Sequence, residues 1–185
     1  PESIEGLDSF KTAFLYTPKD SCWDKSDLAW SCIGYNQLIS PIQMLTFYNA
    51  IANDGKMVKP MLYKGKTEVI NPQIASKANI DSLQNAFVKV IIEGLGKPAQ
   101  SEKIQVAGVS GGSQISAEED NSEGRVNTTF SVEFCGYFPA DAPKYSIIVS
   151  MNKIGLPASG SLMAGSVFQG IVDYMMDLPE ELINQ

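Results

Sequence analysis

The chain has 185 residues, 44% of them apolar and 19% charged, with a formal net charge of −7 and no histidine. This composition is typical of a globular protein with a core, and an acidic chain without a basic stripe is a poor ligand for a phosphate backbone, so nucleic acid is excluded as an expected partner. The lack of histidine removes the most frequent general base and metal ligand, and neither a metal nor a cofactor is expected.

The first helix predicted along the chain follows residues 1–39, an irregular segment with scattered aromatic residues and no clean periodicity. Ser40 suits a helix N-cap, Pro41 suits the first helical position, and Gly55 is expected just past the helix end. The residues predicted to form its buried face are Met44, Tyr48 and Ile51.

Residues 56–65 predict a short extended segment, which Pro60 restricts to the edge of a sheet. A second amphipathic helix is predicted over residues 79–97, with Asn79 or Asp81 as its cap and Gly94 at its end. Its predicted buried face consists of Leu83, Phe87, Val90 and Ile91.

Three strands are predicted in the second half of the chain. The first covers residues 103–117, and the polar run at 116–127 that follows suits a solvated hairpin tip. The other two cover residues 129–141 and 144–153, joined by a proline-rich turn over Pro139–Pro143.

The last predicted element is a helix over residues 161–178, with its buried face at Leu162, Val167, Ile171 and Met175. Strands clustered between helices indicate the α+β class, here an antiparallel sheet flanked by helices. We expect residues 1–185 to form one unit, in which the irregular segment at 1–39 leads into helices and sheet over 40–176.

Four stretches of the sequence carry a family resemblance. They are "IGYNQLISPIQMLTFYNAIANDGKMVKP" from Ile33, "VAGVSGGSQ" from Val106, "FCGYFPADAPKYSIIVSMN" from Phe134 and "AGSVFQGIVDYM" from Ala164. In this order and spacing they resemble segments of the class B penicillin-binding proteins, from about Ile33 to Met176. The resemblance implies the C-terminal part of a transpeptidase domain with a β-lactamase/transpeptidase-like fold.

Members of this family are peptidoglycan transpeptidases, and the resemblance implies where their chemistry would lie. Their serine nucleophile belongs to an S-x-x-K motif, an S-x-N motif completes the site, and a K-[ST]-G strand closes its third side. A serine hydroxyl needs a neighbouring amine to accept its proton, and the tetrahedral oxyanion needs backbone N–H donors. The strand lysine supplies positive charge beside the substrate carboxylate.

In this sequence "VAGVSGGSQ" stands where the family has "vAGKTGTAQ". Val109 replaces the strand lysine, Ser110 matches the [ST] position and Gly111 matches the glycine. Gly112 matches the residue whose N–H would serve as an oxyanion donor, and Ser113 ends the matched substrate-binding strand. An isopropyl group attracts no carboxylate, and losing a charge-assisted contact of about 1.5–3 kcal/mol would weaken the site about tenfold or more. No residue of the chain is predicted to be catalytic.

One S-x-x-K match remains, at Ser150–Lys153, and we interpret it as a chance occurrence. It follows the strand motif and lies on a predicted strand, which would direct Ser150 and Lys153 to opposite faces. The run Glu118, Glu119 and Asp120 is interpreted as a solvated hairpin tip rather than a cation site.

The remaining polar and aromatic candidates have structural interpretations. Ser110 and Ser113 are expected to be strand hydroxyls rather than nucleophiles. The aromatic residues expected in the core are Tyr48, Tyr137 and Phe138.

Two functional hypotheses remain open. The first is a transpeptidase-like domain, inactive in catalysis, that acts by binding or scaffolding in cell-wall synthesis or division, with envelope proteins as candidate partners. The second is part of an active D,D-transpeptidase whose serine lies upstream, with Val109 shifting substrate preference. A sensor that binds β-lactams or muropeptides without turnover is a third possibility that the sequence does not separate from the first. Stem peptides or β-lactams are the expected ligands, bound weakly or not at all by this chain alone.

The cysteines and the N-terminus suggest a cellular setting. Cys22, Cys32 and Cys135 lack zinc-binding spacing, and we favour small buried hydrophobes over a Cys22–Cys32 disulfide. No apolar run has the length that spans a bilayer, and the N-terminus lacks the features of a signal peptide. Because the first residue is proline, we expect a longer precursor with its membrane anchor upstream, facing the periplasm.

Overall fold

A computed structural model describes residues 14–35, 37–63, 65–120 and 125–179. The helices are α1 (Lys25–Cys32), α2 (Pro41–Ala52), α3 (Lys77–Ile92) and α4 (Ser166–Asp177), with a 3-10 turn at Lys97–Ala99 and a π-helical turn at Gly160–Gly165. The strands are β1 (Phe14–Leu15), β2 (Gln37–Leu38), β3 (Met57–Val58), β4 (Val69–Asn71), β5 (Ala107–Asp120), β6 (Arg125–Phe138) and β7 (Tyr145–Ile154).

The main sheet is antiparallel, with strand order β5–β6–β7. β5 pairs with β6 from Ala107 opposite Tyr137 to Asp120 opposite Arg125, and β6 pairs with β7 from Thr129 opposite Ile154 to Phe138 opposite Tyr145. The short pairs β1–β2 and β3–β4 stand apart from this sheet. The predicted α+β architecture, an antiparallel sheet flanked by helices, is confirmed.

Side chains alternate along a strand, so the sheet has two faces. On the α4 face, defined by Val132, Phe134 and Phe138 of β6, the Phe134 and Phe168 rings pack with centroids 4.9 Å apart. Phe134, Phe138 and Phe168 are fully buried, so this face carries the main core. The opposite α2 face, defined by Val109, Glu133 and Cys135, packs against helix α2.

Helix α2 begins as its sequence predicts. Ser40 and Gln43 form a capping box in which the Ser40 hydroxyl accepts from the Gln43 N–H and the Gln43 side chain accepts from the Ser40 N–H at 2.9 Å. Past its end, Gly55 has φ +91°, a left-handed conformation that glycine adopts without strain, and its N–H donates to the Ala50 carbonyl. The Asn49 side chain donates to the Ser146 hydroxyl at 3.0 Å and so fixes α2 on β7.

Helix α3 begins earlier than its sequence predicts. Ser76 is the N-cap and its hydroxyl accepts from the Asn79 N–H at 3.3 Å, so Asn79 and Asp81 lie inside the helix. The predicted cap was wrong because Ser76 already supplies the side-chain acceptor that the first helical turn requires. The predicted buried face is correct at Ile91, but Leu83 is exposed and Ile80 is fully buried in its place.

Residues 25–32, expected to be irregular, form helix α1. Asp24 accepts hydrogen bonds from the Ser26 and Asp27 N–H groups, and Asp27 accepts from the Asp24 N–H, so two carboxylates satisfy the first turn from both sides. The helix buries no residue completely, which explains why its sequence lacks an apolar stripe.

Helix α4 turns a different face to the sheet from the one predicted. Phe168 and Val172 are fully buried, whereas Leu162 is 65% exposed and Val167 44% exposed. Apolar residues occupy both Val167–Phe168 and Ile171–Val172, so the periodicity fits two phases, and the packing of Phe168 on Phe134 selects one. Of the predicted face, Met175 alone packs against the core.

Candidate functional site

The matched strand segment lies in the first half of β5. Val109 lies opposite Cys135 of β6, and Gly111 lies opposite Glu133. By strand alternation Val109, Gly111 and Ser113 belong to the α2 face, while Ser110 and Gly112 belong to the α4 face. Gly111 and Gly112 are exposed, whereas Val109, Ser110 and Ser113 are half-buried.

The outer edge of β5 carries a contact that the sequence did not reveal. The backbone N–H of Gln114 donates to the hydroxyl of Tyr35 at 3.4 Å, so it points away from β6. In an antiparallel ladder the N–H groups of residues i and i+2 point to the same side, so the N–H of Gly112 also faces this edge. The backbone donor that the resemblance assigns to Gly112 is therefore directed outward.

A cavity of about 110 Å³ lies between helix α2 and the strands, and we call it the α2 cavity. Its lining residues are Met44 and Tyr48 of α2, Val109, Ser110 and Gly111 of β5, Glu133 and Cys135 of β6, and Ile148 of β7. Val109 thus shares the cavity with apolar and aromatic side chains. The carboxylate of Glu133 also lines it, two residues before Cys135, the residue opposite Val109 on β6.

Glu133 is the charged side chain of this lining. One carboxylate oxygen accepts hydrogen bonds from the Ser150 hydroxyl at 2.9 Å and from the Ser131 hydroxyl at 3.3 Å. Among the described residues no cation forms an ion pair with it. The α2 face therefore carries negative charge near the position where the resemblance implies a lysine.

Two neighbours of Glu133, the buried Cys135 and the half-buried Tyr48, have raised pKa values. Burial raises the pKa of the Cys135 thiol to about 12, and the nearby Glu133 charge adds to this effect. Burial also raises the pKa of the Tyr48 hydroxyl, with contributions from Cys135 and Glu133. Both groups are therefore protonated at neutral pH, and neither offers an anionic nucleophile.

The sequence matches the model of the penicillin-binding protein transpeptidase domain over residues 11–173. The chain belongs to this family. The class B resemblance stated from its motifs is thereby confirmed.

Relatives of this transpeptidase-family chain are much longer than the chain itself. Penicillin-binding protein PbpB of Mycolicibacterium smegmatis is 27% identical over 183 residues, which cover 88% of this chain and 28% of that protein. The peptidoglycan D,D-transpeptidase FtsI homolog of Mesostigma viride is 21% identical over 172 residues, covering 80% of this chain and 28% of that protein. The chain thus spans 28% of the length of both relatives.

Solved structures share the fold of this family member. The transpeptidase domain of penicillin-binding protein 3 from Burkholderia pseudomallei has a TM-score of 0.75 at 21% identity, covering 95% of this chain and 53% of that one. Penicillin-binding protein 3 from Mycobacterium tuberculosis, in complex with ampicillin, has a TM-score of 0.71 at 22% identity, covering 92% and 41%.

The S-x-x-K match of this transpeptidase-family chain is not a catalytic arrangement. Ser150 donates to Glu133 on the α2 face, whereas the Lys153 ammonium donates to the carbonyl of Gly155 at 3.1 Å. The two side chains lie on opposite faces of β7, as predicted. Glu118, Glu119 and Asp120 lie in strand β5 rather than in a loop, and the tip at 121–124 lies outside the described residues.

Two of the three predicted core aromatics are buried. Tyr137 and Phe138 are 1% and 0% exposed, and burial raises the pKa of Tyr137 to about 12. Tyr48 is half-buried and lines the α2 cavity instead.

The cysteines match the favoured interpretation only at Cys135, which is buried. Cys22 and Cys32 are exposed and free, so the prediction of buried thiols is wrong for both. Cys22 lies before helix α1 and Cys32 is its last residue, and the two thiols form no disulfide.

Two further structural features of the family member concern metals and membranes. The described ranges contain no group of three His, Cys, Asp or Glu side chains placed to hold a metal ion. No helix within the described part of the chain is long and apolar enough to cross a bilayer.

Glu133 and Tyr35 are the site residues that the sequence interpretation missed. The run "SVEFCGYF" alternates, with Val132, Phe134 and Phe138 apolar, so Glu133 was assignable to the opposite face. Its position opposite Gly111 depends on the register of β5 on β6, which the alternation alone does not fix.

Proposed function

We propose that this chain is the C-terminal part of a class B penicillin-binding-protein transpeptidase domain that acts in peptidoglycan synthesis or cell division by binding or scaffolding rather than by catalysis. The observation that carries the proposal is Val109, which occupies the place of the strand lysine and shares its cavity with Glu133. The chain keeps the fold of this strand but has no positive charge at position 109.

The electrostatic argument concerns a substrate carboxylate. A lysine at position 109 would attract it, whereas the valine present contributes no charge and the Glu133 carboxylate repels it. Among the residues that the structure describes, no other charged side chain lines the α2 cavity to offset this repulsion. A stem peptide whose terminal carboxylate must lie against β5 is therefore a poor ligand for this chain.

The proposed setting is an analogy with the relatives. The M. viride relative is named as a peptidoglycan D,D-transpeptidase. By analogy we place this domain on the periplasmic face of the bacterial cytoplasmic membrane, with its anchor upstream and envelope proteins as partners.

Fluorescent-penicillin labelling of the native protein in its host envelope tests the proposal. Detection by antibody in parallel shows that the protein is present and gives its size. We expect no labelled band that coincides with the antibody band. A labelled band much larger than 20.1 kDa that the antibody also detects would show a working serine upstream and overturn the proposal.

An active enzyme with its serine upstream remains the alternative, because the Gly112 N–H points outward where an oxyanion donor is needed. Under this alternative, Val109→Lys in the full-length protein raises the labelling rate about tenfold or more, since it restores a charge-assisted contact. Val109→Leu, which changes size without charge, is the matched control. Under the binding proposal, both variants remain unlabelled.

A further inference from the structure

We propose that the α2 cavity binds a primary alkylammonium group, with its carbon chain against Val109 and Met44 and its ammonium on the carboxylate of Glu133. The inference rests on the proposed function, because it names the ligand chemistry of the same strand once the anion-binding lysine is absent.

The walls of the cavity suit an alkyl chain. Met44 and Ile148 contribute aliphatic surface, Val109 adds an isopropyl group, and Cys135 contributes a buried thiol that stays protonated. A volume of about 110 Å³ exceeds what a single water molecule requires. Apolar walls with one polar group are typical of a small-molecule site, in which the polar group binds one end of the ligand and fixes its orientation.

The carboxylate is the polar group at the end of this site. Ser131 and Ser150 both donate to the same oxygen of Glu133, which fixes the side chain over β6 and β7. The second carboxylate oxygen accepts no hydrogen bond from the described residues, so it keeps capacity to accept from an ammonium group. A charge-assisted N–H···O bond of this kind is about twice as strong as a neutral one.

Tyr48 adds a second element of ammonium recognition. Tyr48 lines the cavity, and the Phe87 ring packs on the Tyr48 ring with centroids 5.6 Å apart. A cation near an aromatic face gains electrostatic attraction from the ring. A carboxylate, an aromatic ring and aliphatic walls together favour a lysine-type side chain over a carboxylate-bearing peptide end.

The test is an NMR titration of the 185-residue chain labelled with ¹³C at the methionine methyl groups, following Met44. n-Butylammonium chloride is the probe, and n-butanol, of the same length without charge, is the matched control. We expect a saturable shift of the Met44 methyl with the amine and no saturable shift with the alcohol.

Variants separate a bound cation from a loose association. Glu133→Gln is expected to weaken amine binding about tenfold or more, while Glu102→Gln, at an exposed carboxylate away from the cavity, leaves it unchanged. Val109→Lys places an ammonium within the cavity and is expected to abolish amine binding. Circular dichroism shows whether each variant is folded. If Val109→Lys does not fold, amine binding by Glu133→Gln alone tests the inference.

Two probes distinguish the sources of the ammonium group. Tighter binding of N-acetyl-lysine methylamide than of a free diamino acid assigns the site to a protein lysine, and the reverse assigns it to a cell-wall peptide. Equal binding of amine and alcohol, or unchanged binding by Glu133→Gln, would overturn the inference. This readout needs no penicillin labelling, so the ligand and the proposed function can fail separately.

Discussion

The two faces of the sheet differ in what fills them. The α4 face is closed by aromatic rings, with Phe134, Phe138 and Phe168 fully buried and no charged residue among its core members. The α2 face carries a cavity, a carboxylate on Glu133 and two serine hydroxyls bonded to it. Both faces belong to the same three strands, so alternate residues of one strand contribute to the core on one face and to the cavity on the other.

This difference separates requirements of the fold from requirements of chemistry. A dry aromatic layer tolerates little change, because interior packing leaves few voids and every lost contact costs free energy. On the α2 face, Val109 borders a cavity, so an exchange of valine and lysine at this position is expected to disturb less packing. A family member can therefore keep its fold while the charge beside β5 differs.

The largest expected effect is a loss of stability from a substitution in the aromatic core of the α4 face. Phe168→Ala removes a fully buried ring that packs on Phe134 and should lower the free energy of unfolding by about 3–5 kcal/mol. Urea denaturation of the two proteins measures it. Val167→Ala, one residue earlier and 44% exposed, is the control and should change stability by less than about 0.5 kcal/mol. Equal losses from both variants would contradict the assigned helix face.

The next largest effect on stability concerns the contact between the π-helical turn at Gly160–Gly165 and the sheet. A Cβ on Gly160 would overlap the carbonyl oxygens of Gly111 and Glu133, so Gly160→Ala should cost about 1–3 kcal/mol. A Cβ on Gly111 meets no atom within 4 Å, and Gly111→Ala should be neutral or slightly stabilising. Paired thermal melts compare the variants, and a destabilised Gly111→Ala with an unaffected Gly160→Ala would reverse the expected order.

A smaller effect appears only in alkaline solution. Burial raises the pKa of Cys135 from 9.0 to about 12, so the folded state holds this proton more tightly than the unfolded state. The resulting stability is complete below pH 9 and is lost as the pH rises towards 12. Cys135→Ala should therefore lose stability less steeply than the parent between pH 9 and 12, measured by urea denaturation at several pH values. Cys22→Ala, at an exposed thiol, should follow the parent slope.

The smallest expected effect lies at the edge of β5. Tyr35→Phe removes the acceptor of the exposed Gln114 N–H and should cost about 0.5 kcal/mol. Hydrogen exchange at the Gln114 amide reports it directly, with faster exchange in the variant. Unchanged exchange at this amide would show that the 3.4 Å contact does not protect the edge.

The sequence predicted most accurately where a local signal was unambiguous. Ser40, Pro41 and Gly55 mark the ends of α2 through capping and backbone preferences that act within a few residues. α1 was missed because its capping box of Asp24 and Asp27 stands without an apolar stripe. The face of α4 was wrong because two phases of the same apolar pattern fit equally well.

The sequence by itself determined helices α2, α3 and α4, the antiparallel sheet and the family, and it has valine at position 109 where the resemblance implies a lysine, because these depend on residue identity, local periodicity and motif spacing. The tertiary structure alone decided that Glu133 lies opposite Gly111 and that Tyr35 reaches Gln114. Strand register and contacts between residues distant in the chain result from packing of the whole domain, which no single segment encodes.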